Sequence, residues 1–280
     1  MLRFLQKTYE AWIDYPQREG ALIAGTYVVE HVLGEGSYGI TYLCRDVRSG
    51  IRVAVKMARP SKGALGERLL AREAEVLGSL RYPGIPHFIE MIRSGKKRYL
   101  VSEYVEGLTM EQLIFEQGKV FDESDVLEWT LRLLELVRHV HEKGYAHLDI
   151  RIPNVIVRGE RLALIDFGLA RRMGEEIGPE LCRFWQEGLR ITADAEKDLY
   201  DIGHFMLFML YSSYDGPCER SGWSGRHNAG KRESGWQDEL TLTPGVRRIL
   251  RKLLQIDPPY GEVRQLTADL RNVLAGNQLE

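Results

Sequence analysis

Two polar clusters in the second half of the chain combine residue types that could bind a metal ion. The first is His147-Leu-Asp-Ile-Arg-Ile-Pro-Asn154, which brings an acid, a cation and an amide together in one short segment. The second is Asp166-Phe-Gly168, which directly follows the strand-like run Leu162-Ala-Leu-Ile165. Carboxylate and amide oxygens are hard ligands of the kind that Mg²⁺ prefers. Either cluster alone could be a polar loop, but together they predict a magnesium site.

A glycine-rich turn, Leu33-Gly-Glu-Gly-Ser-Tyr-Gly39, lies between two strand-like segments. A dinucleotide-binding fingerprint requires a helix after its glycines, so the following strand disfavours that interpretation. Glycines can serve a hairpin turn alone. In this context Gly34, Gly36 and Gly39 would also let backbone N–H groups approach phosphate oxygens with no Cβ in the way.

One lysine, Lys56, ends the apolar, β-branched strand Val53-Ala-Val-Lys56. It could simply face solvent, because a buried lysine is costly unless it is paired. The amphipathic helix that follows offers Glu73 as a partner, with Glu75 as the alternative on another face. A lysine held by a glutamate while it contacts phosphate oxygens is typical of phosphoryl transfer.

Composition excludes several other classes of protein. The chain has 280 residues, 44% of them hydrophobic, and a formal net charge of -2. The hydrophobic content predicts a folded core, and the charge balance predicts no nucleic-acid partner. No run is long enough to span a bilayer, and the three widely spaced cysteines indicate reduced thiols. We therefore expect a cytoplasmic protein without a transmembrane segment; the sequence makes no prediction about its oligomeric state.

The periodicity of apolar residues divides the chain into three parts. Residues 1–25 show helical spacing and predict an amphipathic helix docked on the main domain, with membrane or partner contact as the alternative. Residues 27–104 contain mostly strand-like segments and one helical segment, and after Gly107 the pattern is helical. Asp122 predicts a helix N-cap, and 212–239 predicts a long exposed loop. The expected fold class is α+β.

Four motifs, GEGSYG, VAVK, HLDIRIPN and DFG, occur in one order along the chain. In these motifs the sequence resembles the eukaryotic-like Ser/Thr protein kinases, most of all their soluble bacterial members, over about residues 27–275. The resemblance implies a kinase domain over 26–277. It also implies a two-lobed fold, with a small antiparallel β lobe carrying one helix, about 26–104, and a larger, mainly helical lobe, about 107–277.

The resemblance also implies a role for each matching residue. Asp149 would be the catalytic base, and Asn154 and Asp166 the Mg²⁺ ligands. Lys56, paired with Glu73, would bind the α- and β-phosphates of ATP, and Arg151 stands where a lysine usually contacts the γ-phosphate. The remaining nucleotide-binding positions would be Leu33, Gly34, Gly36, Gly39, Thr41, Ala54, Glu103, Val105 and Ile156.

The sequence departs from the family pattern in two places. Leu148 replaces the arginine that commonly grips a phosphorylated activation loop, and no Ala-Pro-Glu motif follows Gly168. Apolar residues at Leu181, Phe184, Trp185 and Leu189 predict instead a short helix that holds this loop. Three functions stay open: a Ser/Thr protein kinase, a kinase of small-molecule hydroxyl groups, and an ATP-binding pseudokinase scaffold. Retention of the catalytic residues argues against the scaffold, and the regular glycine turn, the VAVK strand and DFG favour the protein kinase over the small-molecule kinase. The substrate bears a hydroxyl group and is a protein or a small molecule.

Overall fold

The structure is a computed structural model that describes residues 13–95, 97–178, 191–214 and 235–277. It divides into two compact units. The first, here called the sheet unit, consists of the described residues up to Glu106 together with Ala163–Ala170. The second, here called the helical unit, consists of Gly107–Leu162 and the described residues from Arg171 onward.

The sheet unit is built on one six-stranded antiparallel sheet with the order β1-β2-β3-β4-β6-β5. Its strands are β1 (Leu22–Ile23), β2 (Tyr27–Glu35), β3 (Gly39–Asp46), β4 (Arg52–Ala58), β5 (Phe88–Ser94) and β6 (Lys97–Glu103). The glycine-rich turn joins β2 to β3, and the β2–β3 register brings Gly34 opposite Thr41. The first strand lies within 1–25 and pairs with β2, so part of that segment extends the sheet.

Alternating side chains of these strands form one apolar core. Its members are Ile23, Tyr27, Val29, Ile40, Tyr42, Cys44, Val53, Val55, Met57, Tyr99 and Val101. The spacing of two along each strand is the strand period that the sequence shows, because successive side chains point to opposite faces. Cys44 is a buried free thiol within this core, and burial raises the pKa of that thiol to about 12. Cys182 and Cys218 lie outside the described residues.

One helix, α1 (Gly63–Ser79), belongs to the sheet unit and follows a short 3₁₀ turn at Pro60–Lys62. Its buried residues are Gly66, Leu69, Leu70, Glu73, Val76 and Leu77. This spacing of three and four is one helix face. Glu73 therefore lies on the buried face of α1.

The helical unit contains α2 (Met110–Phe115), α3 (Glu123–Glu142), α4 (Ala195–Tyr211), α5 (Trp236–Glu239), α6 (Pro244–Leu253) and α7 (Val263–Asn277). Asp122 is the N-cap of α3, as the sequence predicts, and forms a capping box with Asp125. Gly144, with φ at 79°, provides the left-handed residue just after this helix. α4 carries nine buried residues, Asp198 among them, so this helix lies deep in its unit.

Short strands complete the helical unit: β7 (Leu108–Thr109), β8 (Tyr145–Ala146), β9 (Val155–Arg158), β10 (Arg161–Leu164), β11 (Arg171–Arg172), β12 (Glu176–Ile177) and β13 (Ile191–Thr192). β10 ends in the sheet unit. Gly107 precedes β7, and a Cβ built there would lie 2.5 Å from the Val157 oxygen and 2.7 Å from Ile156 Cγ2. A residue with a side chain cannot replace this glycine without moving β9.

Some expectations end differently in the structure. The loop predicted over 212–239 stops short of its predicted end, because Trp236 begins α5 and is fully buried. Within that range, 215–234 lies outside the described residues, as do residues 1–12 of the predicted N-terminal helix. In the described part of the chain, no helix has both the length and the apolar character needed to cross a membrane.

Candidate active site

In the sheet unit, Lys56 binds two carboxylates. Its Nζ donates to Glu73 Oε2 at 2.7 Å and to Asp166 Oδ1 at 2.6 Å. β4 supplies the lysine, the buried face of α1 supplies Glu73, and Asp166 precedes a 3₁₀ turn at Phe167–Leu169. Glu75, the alternative partner, contacts Arg72 at 3.4 Å. Two acids thus hold the ammonium of this half-buried lysine.

Burial and charge act against each other in this cluster. Burial alone would lower the pKa of the Lys56 ammonium, but Asp166 and Glu73 outweigh it and raise that pKa. Burial raises the pKa of Glu73 to about 7, although Lys56 opposes the shift. The short distance from Glu73 to the ammonium favours an ion pair at neutral pH. Lys56 therefore keeps its positive charge at neutral pH.

The three glycines of the turn have different surroundings. A Cβ built at Gly34 would meet no atom within 4 Å, and one at Gly36 would approach only the Gly39 oxygen, at 3.5 Å. At Gly39 it would lie 3.2 Å from Lys56 Cε and 3.1 Å from the Met57 oxygen. Gly34 and Gly36 thus leave open space of the kind that phosphate groups need. Gly39 makes room for the Lys56 side chain.

The other predicted nucleotide-binding residues of the sheet unit lie on its strands. Leu33, at the end of β2, is exposed, Thr41 lies on β3, and Ala54 lies on β4. Glu103 ends β6, where its backbone N–H donates to the His87 oxygen at 2.9 Å. Val105 follows this strand. Ile156, the last predicted member, is a buried residue of β9 in the helical unit.

In the helical unit, Asp149 is the centre of a second polar cluster. Asn154 Nδ2 donates to Asp149 Oδ2 at 2.8 Å and to the Asp149 backbone oxygen at 2.9 Å. Arg151 Nε lies 3.0 Å from Asp149 Oδ1. Asn154 is buried, whereas 19% of the Asp149 side chain is exposed. Both carboxylate oxygens are thus oriented, and the group still reaches solvent.

The helix α4 holds the segment that carries Asp149. The fully buried Asp198 accepts hydrogen bonds from the backbone N–H groups of His147 at 2.8 Å and Leu148 at 2.7 Å. Its Oδ2 also lies 2.8 Å from His141 Nε2. Leu148 has φ at 65°, a left-handed conformation that costs about 1 kcal/mol or more in a non-glycine residue. The bonds to Asp198 offset that cost.

A second carboxylate on α4, Asp201, acts on the same segment. It accepts a hydrogen bond from the backbone N–H of Ile150 and pairs with Lys197. Burial raises the pKa of Asp201 to about 6, although Lys197 opposes the shift. Burial alone would also raise the pKa of Asp198, but its hydrogen bonds from His141 and the backbone outweigh burial and lower it. Two acids one helical turn apart therefore hold the residues on either side of Asp149.

Comparison with known proteins identifies this arrangement. The protein kinase domain family matches residues 27–184, more than half of the chain. The chain is also 32% identical, over 263 residues, to the Probable serine/threonine-protein kinase YbdM of Bacillus subtilis, and the alignment covers 93% of this chain and 94% of that protein.

The chain belongs to the protein kinase family. It is a serine/threonine-kinase-like phosphotransferase, as its motifs predict.

More distant kinases share parts of the chain. A probable serine/threonine-protein kinase of Streptomyces coelicolor is 30% identical over 215 residues, which are 71% of this chain and 31% of that protein. The mouse serine/threonine-protein kinase Nek11 is 33% identical over 163 residues, which are 56% of this chain and 26% of Nek11. The crystal structure of a kinase domain shows the same fold, with a TM-score of 0.67 at 15% identity, and covers 91% of this chain and 98% of that one. The predicted kinase fold is confirmed.

The oxygen donors of this kinase fit magnesium better than they fit a transition metal. Among the described residues, no group of three or more His, Cys, Asp or Glu side chains is placed to hold a metal ion. Mg²⁺ does not need such a group, because it commonly binds one or two carboxylates together with phosphates and waters. Asp166, with 36% of its side chain exposed, and the amide of Asn154 are ligands of the right type.

Sequence reasoning missed several residues that the structure of this kinase brings into play. Asp201 lies one turn after Asp198 on α4. Arg59 contacts the glycine-rich turn at Gly36, and Asp14 contacts Ser61 in the link before α1. The spacing of three residues between Asp198 and Asp201 could have indicated that both acids lie on the same face of α4. No sequence pattern indicated the contacts of Arg59 and Asp14, because these contacts join distant parts of the chain. The helix predicted around Phe184 and Trp185 lies outside the described residues.

Proposed function

We propose that this chain transfers the γ-phosphate of Mg-ATP to serine or threonine hydroxyl groups of proteins, with Asp149 as catalytic base. The observation that carries the proposal is the environment of Asp149. Asn154 and Arg151 orient its two carboxylate oxygens, and part of the side chain stays exposed. A scaffold that only binds ATP has no need of an oriented, accessible carboxylate.

Each residue has one task in the proposed reaction. The substrate hydroxyl oxygen forms a bond to the γ-phosphorus, the bond from that phosphorus to the bridging oxygen breaks, and ADP leaves. Asp149 accepts the hydroxyl proton as the new bond forms. Lys56 binds the α- and β-phosphates, and the backbone of the turn that contains Gly34 and Gly36 covers them. Asn154 and Asp166 would hold the magnesium ion, which would neutralise charge on the phosphates.

Arg151 is the cation that contacts the γ-phosphate in this proposal. Its guanidinium lies beside Asp149, and 59% of its side chain is exposed. A guanidinium is planar and can donate two hydrogen bonds to one phosphate, which a lysine ammonium does not do with the same geometry. The residue therefore suits the task, although kinases of this type usually carry lysine there.

The experiment is a transfer assay with γ-labelled ATP and three acceptors: the protein itself, a generic protein such as casein, and a small alcohol such as choline. Label on serine or threonine of either protein supports the proposal. Label on the small alcohol alone would show a small-molecule kinase. ATP binding without any transfer would show a pseudokinase. We also propose a cytoplasmic location, with which the buried free thiol of Cys44 is compatible.

A further inference from the structure

The segment that precedes the sheet is bound to the link between β4 and α1. Asp14 Oδ1 accepts the backbone N–H of Ser61 at 2.9 Å, and its Oδ2 accepts the Ser61 hydroxyl at 2.6 Å. Only 7% of Asp14 is exposed. A buried carboxylate is costly unless its oxygens are hydrogen-bonded, so these contacts make Asp14 a built anchor.

Arg59 lies between this anchor and the glycine-rich turn. Its Nη1 is 3.6 Å from Asp14 Oδ2, and its Nη2 is 3.2 Å from Glu35 Oε2. Its Nε donates to the Gly36 oxygen at 2.7 Å, and its backbone N–H donates to the Tyr38 oxygen at 2.8 Å. Arg59 thus contacts three residues of the turn, and only 16% of its side chain is exposed.

The bond to the Gly36 oxygen determines the direction of the next N–H group. The structure contains no cis peptide bond among its described residues, and in a trans peptide the C=O and the following N–H point in opposite directions. With the Gly36 oxygen held by Arg59, the Ser37 N–H points away from the guanidinium. A charged donor on the carbonyl also polarises the peptide, which makes that N–H a stronger donor.

We propose that Arg59, oriented by Asp14, is a positioning residue that fixes the glycine-rich turn with the Ser37 N–H ready to bind a nucleotide phosphate. This inference rests on the proposed function, since it requires ATP to bind at the turn. The guanidinium acts through the turn, because each of its three nitrogens contacts Gly36, Glu35 or Asp14. The segment around Asp14 is therefore part of the nucleotide-binding apparatus.

The test compares nucleotides that differ only in their phosphates. Binding of Mg-ATP, Mg-ADP and adenosine to the full chain is measured by calorimetry for the wild type, Arg59→Ala and Asp14→Asn. We expect Arg59→Ala to raise the Kd for both phosphorylated nucleotides about tenfold, which corresponds to losing one charge-assisted hydrogen bond. The Kd for adenosine stays at the wild-type value. Asp14→Asn keeps the shape of the anchor but removes its charge, so it gives a smaller shift in the same direction.

The matched control is Arg48→Ala. Arg48 also belongs to the sheet unit and pairs with Asp46 and Glu90, away from the turn. This variant should bind all three compounds as the wild type does. If Arg59→Ala does not fold, Arg59→Lys gives the same comparison, because an ammonium keeps the charge but cannot bond Gly36, Glu35 and Asp14 together.

The outcomes separate this inference from the proposed function. Equal weakening of adenosine and ATP binding in the Arg59 variants would show a merely structural role and overturn the inference. Wild-type affinity for all three compounds would overturn it as well and leave the proposed function intact. If the wild-type chain bound no Mg-ATP, both would fail.

Discussion

In both units the candidate site side chains contact one another, but in the helical unit the segment that carries them is also held through its backbone. Lys56 is placed by ion pairs to Glu73 and to Asp166, which is itself a proposed magnesium ligand. Asp149, by contrast, lies on a segment whose N–H groups are bound by Asp198 and Asp201 of α4. Neither of these two acids takes part in the proposed chemistry.

This difference separates two ways of building a catalytic arrangement. Ion pairs among functional groups change when a ligand binds or a proton is lost, because each group can exchange its partner. A carboxylate buried in a helix and bonded to backbone N–H groups is in place once the unit has folded. We therefore expect the Lys56 cluster to respond to nucleotide and magnesium, and the Asp149 segment to respond to whatever alters α4.

The largest expected effect belongs to Asp149. Asp149→Asn should lower the rate of phosphate transfer by about 10²–10⁴-fold, the usual contribution of a general base. The Kd for Mg-ATP should change little, because Asp149 acts on the hydroxyl group. Transfer of labelled phosphate and calorimetric binding, measured on one preparation, decide the matter. An equal loss of ATP affinity would place Asp149 among the nucleotide ligands.

The next effect tests whether Lys56 and Glu73 act as one group. Lys56→Met and Glu73→Gln should each lower the turnover rate, and the loss should be larger for Lys56→Met. The double variant should be little worse than Lys56→Met, with a coupling of about 0.5–3 kcal/mol in a double-mutant cycle. Glu75→Gln, on the same helix, is the matched control and should behave as the wild type. Additive losses in the double variant would show that Lys56 and Glu73 do not act as a pair.

Asp198 should control the stability of the helical unit. Asp198→Asn replaces one of the two acceptor oxygens with a donor, which then faces the backbone N–H of either His147 or Leu148. We expect a loss of about 1–3 kcal/mol in the free energy of unfolding. The pKa of Asp198 is lowered in the folded protein. Its stabilisation is thus complete above the unfolded-state pKa of about 4 and is lost as the pH falls through the lower folded-state value.

Urea unfolding of the wild type and Asp198→Asn at a series of pH values measures this contribution. The difference between the two proteins should shrink below about pH 4. A constant difference down to the lowest pH would show that the carboxylate charge is not what stabilises the segment.

Asp201 should change the pH dependence of stability with the opposite sign. Its folded-state pKa is raised to about 6, so between about pH 4 and that value the folded protein binds more protons than the unfolded one. Stability must then fall as the pH rises through this window, by about 3 kcal/mol in total for a shift of about two pKa units. Asp201→Asn should reduce this slope, with the part due to Glu73 remaining, whereas Asp198→Asn should retain all of it. The same urea series detects it, and an unchanged slope would contradict the assignment.

Sequence by itself determined the local features and their order. The period of two along β2, β3 and β4, the Asp122 cap and the four kinase motifs are all set by neighbours a few positions apart. Local periodicity determines which elements form because each element satisfies its own backbone hydrogen bonds or buries one face. Periodicity was enough to predict an α+β fold and to name Glu73 and Glu75 as the two candidate partners of Lys56. The kinase fold followed from the resemblance of the four motifs to the family.

Only the tertiary structure decided which distant groups meet. It chose Glu73 because that side chain lies on the buried face of α1, and it joined Lys56 to Asp166 across 110 positions and Asp14 to Ser61 across 47. Contacts of this kind depend on how elements pack, and no local period records them. For the same reason the packing need for Gly39 beside Lys56 and the burial of Trp236 appeared only once the chain was folded.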